Sequence, residues 1–108
     1  MIEKYKNRYY AMKKAEGGEY AVAMLDELLI KHSFHYQAEG EEPKRFVAAP
    51  NRYEYRIAYL CVLLNWDDVH KASEALDLLI QYHLCKWDIE VGVLMFPSIY
   101  EPDVYERK

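Results

Sequence analysis

Cysteine is nearly absent from this chain of 108 residues, which has only Cys61 and Cys85. Both fall inside segments of regular periodicity without framework spacing, so two reduced, buried thiols are expected rather than a disulfide. Long apolar runs are missing as well. No stretch approaches the roughly 20 residues that cross a bilayer, and the opening MIEKYKNRYYAMKK lacks the apolar core of a secretion signal. A soluble, cytoplasmic protein with no membrane partner is expected. There is no glycine-rich phosphate loop, no nucleophile elbow and no pair of carboxylates set to separate their acidities, so neither enzymatic activity nor a cofactor is expected. His32 with His35 (HxxH) and His83 with Cys85 (HxC) are the available metal ligands. Neither pair has zinc-finger spacing, so they read as unrelated core or surface positions and no metal is expected. Positive charge is also short: the formal net charge is −4. That argues against a broad nucleic-acid surface, because phosphate neutralisation by Lys and Arg supplies most non-specific affinity.

What the chain does have is apolar and aromatic bulk: 52% hydrophobic residues, with 11 Tyr and 2 Trp. That is a globular composition, and the length suits one domain with one core. The charge is unevenly spread. Residues 1 to 14 carry Lys4, Lys6, Arg8, Lys13 and Lys14 against Glu3 alone, whereas residues 51 to 108 carry six basic and ten acidic side chains. Any anion-binding surface is therefore local.

Periodicity divides the chain into elements. From Glu3 to Ala15, Tyr5, Tyr9 and Met12 at helical spacing predict a short helix, which Gly17-Gly18 ends. From Glu19 to Phe34, Ala21, Met24, Leu25, Leu28, Leu29 and His32 form the stripe of an amphipathic helix. Phe34 to Gln37 suits a short strand, and AEGEEPKR after it reads as a solvated loop. Beyond Pro50-Asn51, Tyr53 to Leu64 is helical, with Ile57, Leu60, Cys61 and Leu64 on one face. Trp66, in the turn that follows, is expected to plug the core between helices. Asp67 and Asp68 are N-cap candidates for a helix from Val69 to Leu84. Its inner face is expected to hold Ala72, Leu76, Leu79, Ile80 and His83, leaving His70, Lys71, Ser73, Glu74, Asp77 and Gln81 outside. CKWDIEV and VLMFPSI then read as two strands reversing at Gly92, with Pro97 ending the outer strand or lying on its edge. LLI at 28–30 recurs at 78–80, and Pro50 with Tyr53-Glu54 matches Pro97 with Tyr100-Glu101. The match needs a gap and reads as two similar helix-to-strand transitions.

Helix, tight turn, longer helix and hairpin make the order of a winged helix-turn-helix. The fold expected is mainly α with a small β-hairpin, an α+β class. It divides into a basic N-terminal helical segment (1–16), a winged-helix domain (17–101) and a tail (102–108).

These residues resemble a known family. KAEGGEYAVAMLDELL, a loop, and RIAYLCVLLNWDDVHKASEALDLLIQYHLCKWDIEVGVLMFPSIYE are similar to the N-terminal domain of phage replisome organisers, relatives of the primosomal DnaD-type domain. Gly17-Gly18, Leu25, Leu28 and Leu29, Leu64-Asn65-Trp66-Asp67, Ala75-Leu76, Leu79-Ile80 and Val93 to Pro97 carry the resemblance, which spans most of residues 13 to 101. It implies a winged helix in phage-type initiation of DNA replication in a bacterial host. Such a domain binds duplex DNA or self-associates, and it recruits a helicase-loading or other replication protein. In full-length members a second domain follows. Here the basic segment Lys4 to Lys14 stands where that family has a strand before the first core helix.

For DNA binding the candidate residues are Lys13, Lys14, Lys44, Arg45, Arg52, Arg56, His70, Lys71, Ser73, Gln81, Lys86 and Trp87. Lys71 shares its helix face with Glu74 and Asp77, so much of the charge is expected from the basic N-terminal segment, from Lys44-Arg45, Arg52 and Arg56, and from the hairpin. Trp87 is open between stacking on a partner and packing beneath the hairpin. Tyr5, Tyr9 and Tyr10 are candidates for a homo-oligomer face, or for packing against the core. The competing function is a winged helix used only for protein association.

Overall fold

The computed structural model describes residues 3–36, 39–40, 44–48, 53–88 and 92–97. The fold is mainly helical with one four-stranded antiparallel sheet, an α+β architecture.

Helix α1 (Glu3–Lys14) buries the stripe Tyr5, Tyr9 and Met12, and its last turn carries Lys13 and Lys14, where cations favour the negative helix end. The chain reverses through Gly17, whose φ of 79° lies in the left-handed region. Gly18 then opens α2 (Gly18–Glu27) so close to α1 that a Cβ there would overlap the carbonyl oxygen of Met12 and lie 2.7 Å from that of Lys13. Helix α2 buries Ala21, Met24 and Leu25, and runs into a π-helical turn, Leu28–His32, that buries Leu28 and Leu29. Helical structure was expected to reach Phe34. It stops earlier because Ser33 turns extended, its hydroxyl donating to the Leu29 carbonyl.

Two strands follow, β1 (Phe34–Tyr36) and β2 (Lys44–Ala48). The expected solvated loop therefore ends sooner than its composition suggested: Lys44 and Arg45 belong to β2, which alternates partly buried and buried positions before Ala48. Helix α3 (Tyr53–Leu64) has the expected bounds and buries Ile57, Leu60, Cys61 and Leu64. It closes with Asn65 at a φ of 59°, while the N–H groups of Asn65 and Trp66 donate to the carbonyls of Val62 and Cys61. Trp66 packs against the core from the turn, as expected.

Helix α4 (Val69–Gln81) starts at Asp68, whose carboxylate accepts the Lys71 N–H at 3.1 Å. It was expected to reach Leu84 but ends at Gln81, because His83 takes the left-handed conformation at a φ of 59°. The N–H groups of His83 and Leu84 then close the helix onto the carbonyls of Ile80 and Leu79. This ending corrects the expected inner face: Ala72, Leu76 and Leu79 are buried, whereas Ile80 is 40% exposed and His83 is exposed. Strands β3 (Lys86–Asp88) and β4 (Val93–Pro97) form the expected hairpin, with the Gly92 N–H donating to the Asp88 carbonyl. Residues 89–91, expected to extend the first of these strands, lie outside the described residues.

The sheet order is β1-β2-β4-β3, so the hairpin is half of a larger sheet. Strand β4 is internal, which corrects its expected outer position; Pro97 still ends it, where a missing N–H disturbs the ladder least. One core cluster joins Tyr5, Tyr9 and Met12 of α1 to Leu25, Leu60, Leu79, Leu94 and Phe96. The basic N-terminal segment is thus built into the domain rather than appended to it. Cys61 and Cys85 are free thiols and both are buried, as expected. Among the described residues no helix is long and apolar enough to cross a membrane.

Candidate nucleic-acid interface

Cross-strand partners in an antiparallel sheet share a face. The register pairs Arg45 with Phe96, Val47 with Leu94 and Leu94 with Trp87, so these side chains point toward the helices. Lys44 pairs with Pro97, and Phe46 and Lys86 both pair with Met95, so these lie on the opposite face. The alternation decides which of these cations face outward. Arg45, expected to contact phosphate, is only 5% exposed and faces inward, so it is removed from any such surface. Lys44 and Lys86 flank β4 on the outer side.

At the end of the sheet that holds these two lysines, α1 and the last turn of α4 meet the strands around a groove of about 640 Å³. Helix α1 supplies Tyr5 and Arg8, and the end of α4 supplies Ile80 and His83. The strands supply Lys44, Lys86, Trp87, Met95 and Pro97, with Cys85 at the entry to β3. Arg8 lies over the Tyr5 ring, its guanidinium carbon 5.4 Å from the ring centroid. Among the described residues no carboxylate lines the groove. Burial pushes the Cys85 thiol far above its ordinary range, so it adds no negative charge. Cationic, aromatic and aliphatic side chains thus line the same groove.

Trp87 resolves its two readings toward packing: it is half-buried against the core, and the Arg56 guanidinium stacks on its ring at 3.6 Å. Its indole N–H is buried, with no hydrogen-bond partner among the described residues. Arg56, expected to contact phosphate, is engaged with this ring instead.

The other candidates are dispersed. Lys71 donates to the Tyr20 hydroxyl at 2.9 Å and lies 4.4 Å from the centroid of that ring. The hydrogen bond to Tyr20 is the main reason that its pKa is raised, with smaller contributions from the charges around it. His70 and Gln81 are exposed on the outer face of α4, as are Glu74 and Asp77, while Ser73 is partly buried. Lys13 and Lys14 are exposed at the far end of α1, away from the groove. Arg52 lies outside the described residues. Tyr5 and Tyr9 are 7% and 8% exposed in the core, which takes them out of an association face; only Tyr10, at 44%, presents its ring to solvent. The helical step that placed Met12 inward carries both tyrosines in with it.

Sequence reasoning singled out Lys44, Lys86, Trp87 and Tyr5 but missed Arg8, Ile80, His83, Met95 and Pro97 as their neighbours. Arg8 had a signal, being one turn from Tyr5 in the same basic segment. For His83 the helical stripe pointed the wrong way. Among the described residues, no group of three or more His, Cys, Asp or Glu side chains is placed to hold a metal ion. In comparison with known proteins, no protein-family model, curated protein or solved structure matches the chain.

Proposed function

We propose that this chain is a DNA-binding winged-helix domain acting in phage-type replication initiation, in the cytoplasm of a bacterial host. The observation that carries the reading is the connectivity. Helix α2, strands β1 and β2, helices α3 and α4, and strands β3 and β4 follow one another, and β4 pairs between β2 and β3. In a winged helix this order presents the second helix of the helix-turn-helix, here α4, to the DNA with the hairpin beside it. The 13 residues of α4 span about 20 Å. Cations sit toward both ends of it, Lys71 in the first turn and Lys86 and Lys44 beyond the last, with Glu74 and Asp77 between. Phosphate contacts at the ends would position a central stretch whose carboxylates accept from cytosine amino groups. Salt titration of duplex binding tests this. The expected log–log slope is negative and shrinks by about one when Lys71 or Lys86 becomes Ala. Absence of duplex binding at low salt would overturn it.

A second reading, a module for self-association or for docking a helicase-loading protein, has its own observation. Tyr55, Ala58 and Val62 recur at three- and four-residue steps on the outside of α3, and Val62 is 82% exposed. Light scattering on the same samples separates the two readings. A discrete oligomer abolished by Val62→Glu, with no salt-dependent DNA binding, favours association.

A further inference from the structure

Charges of opposite sign are sorted onto two helices. Helix α1 exposes Lys6, Arg8, Lys13 and Lys14, and its described side chains include no carboxylate. Helix α4 is the reverse. His70, Glu74, Asp77 and Gln81 recur at four- and three-residue steps, so they form one exposed stripe opposite the buried Ala72, Ala75, Leu76 and Leu79. Lys71 is the only Lys or Arg in α4, and its ammonium is taken up by the Tyr20 hydroxyl. The charges of Asp68 and Glu19 also act on it, which extends the acidic surface to the start of the helix. Among the described residues, Lys13, Lys14, Glu74 and Asp77 have no ion-pair partner. Between its cations α1 carries Tyr10, whose ring is 44% exposed and set edge-on against Tyr9 at 5.4 Å. An ordered aromatic ring with charges around it is the make-up of an interface core and its rim.

We propose that α1 of one copy of this chain docks on the α4 stripe of a second copy, with Lys13 and Lys14 facing Glu74 and Asp77 and Tyr10 packed between the helices. The occupant is a second copy because the chain carries both halves of the complement, whereas two α1 faces or two α4 faces repel each other. Each copy brings α1 and the last turn of α4 together at the groove. Two copies about a two-fold axis therefore make the contact twice, in a closed dimer. The inference rests on the association reading but uses a surface other than the α3 stripe. A copy whose α4 is covered cannot present it to a duplex, so this dimer and duplex binding exclude each other.

Light scattering at low salt is expected to show a dimer that falls to the monomer near 1 M salt, where the Debye length is about 3 Å. Lys13→Glu with Lys14→Glu, and Glu74→Lys with Asp77→Lys, are each expected to weaken it about tenfold while leaving the circular dichroism unchanged. All four substitutions in one chain reverse both faces, keep the formal net charge at −4 and are expected to restore the wild-type affinity. Val62→Glu is expected to leave this dimer intact. An oligomer that survives both charge reversals and is lost with Val62→Glu would keep association and overturn this contact. A fourfold variant that stays monomeric would overturn it as well, and a wild type that is monomeric at low salt would overturn it together with the association reading.

Discussion

Cys85 stands at the wall of the groove, yet its thiol is buried, and that burial pushes its pKa far above the ordinary 9.0. Cys61 shifts the same way, by burial first and by the nearby charge of Asp68 second. Above pH 9.0 the unfolded chain has released thiol protons that the folded chain still holds. The folded state then binds more protons, so stability falls as pH rises from there toward the folded values, by up to about 1.4 kcal/mol per pH unit for the fully buried Cys85 thiol. Lys71 has the same sign: its raised pKa stabilises fully below 10.5, and that contribution is lost as pH rises through the folded value. Urea midpoints measured across this alkaline range should decline, and Cys85→Ala should make the decline shallower. An equally steep decline in the variant would exclude Cys85 as a source. The burial of both thiols was legible in the sequence, since each sits among apolar residues at regular spacing. The inward turn of Arg45 was not. A two-residue period has two possible phases, and only the pairing of β2 with β4 selects between them.

At the scale of the element, α4 shows how local chemistry sets one end of a helix and a backbone choice sets the other. Asp68 caps the start, as its side chain predicted, and Asp68→Ala should lower stability by about 1 kcal/mol. The far end closes at His83 in a conformation unfavourable for a residue with a Cβ. His83→Gly should therefore raise stability by about 1 kcal/mol, since the side chain is exposed and the closing hydrogen bonds are backbone ones. Chemical denaturation of the two variants should show midpoints moving in opposite directions; a destabilised His83→Gly would mean that the imidazole has a stabilising contact. Periodicity located α3 to the residue because Pro50-Asn51 and Asn65 punctuate it. It overran at the ends of α2 and α4, where Ser33 and His83 stop the helix without glycine or proline.

For the whole molecule, the question is whether α1 folds with the rest or beside it. Tyr5, Tyr9 and Met12 enter the same core as Phe96 and Leu94, and Gly18 lets the two chain segments touch at backbone distance. Unfolding followed by far-ultraviolet circular dichroism and by tryptophan fluorescence should give coincident transitions. Gly18→Ala forces a Cβ into the Met12 and Lys13 carbonyls and should move both transitions down together, by about 2 kcal/mol. Separate transitions would show that α1 is an independent unit. The apolar stripes, the Asp68 cap and the Gly92 reversal are local properties, so the presence of the four helices and of the hairpin, and most of the residues that they bury, follow from the sequence alone. Which strand lies between which, and which cations share a groove, depend on contacts between residues far apart in the chain. Lys44, Lys86 and Arg8 have no sequence relation to one another. Only the docking of α1 and the insertion of β4 between β2 and β3 decided that they line one groove, because pairing register and helix packing act across distances that no local pattern encodes.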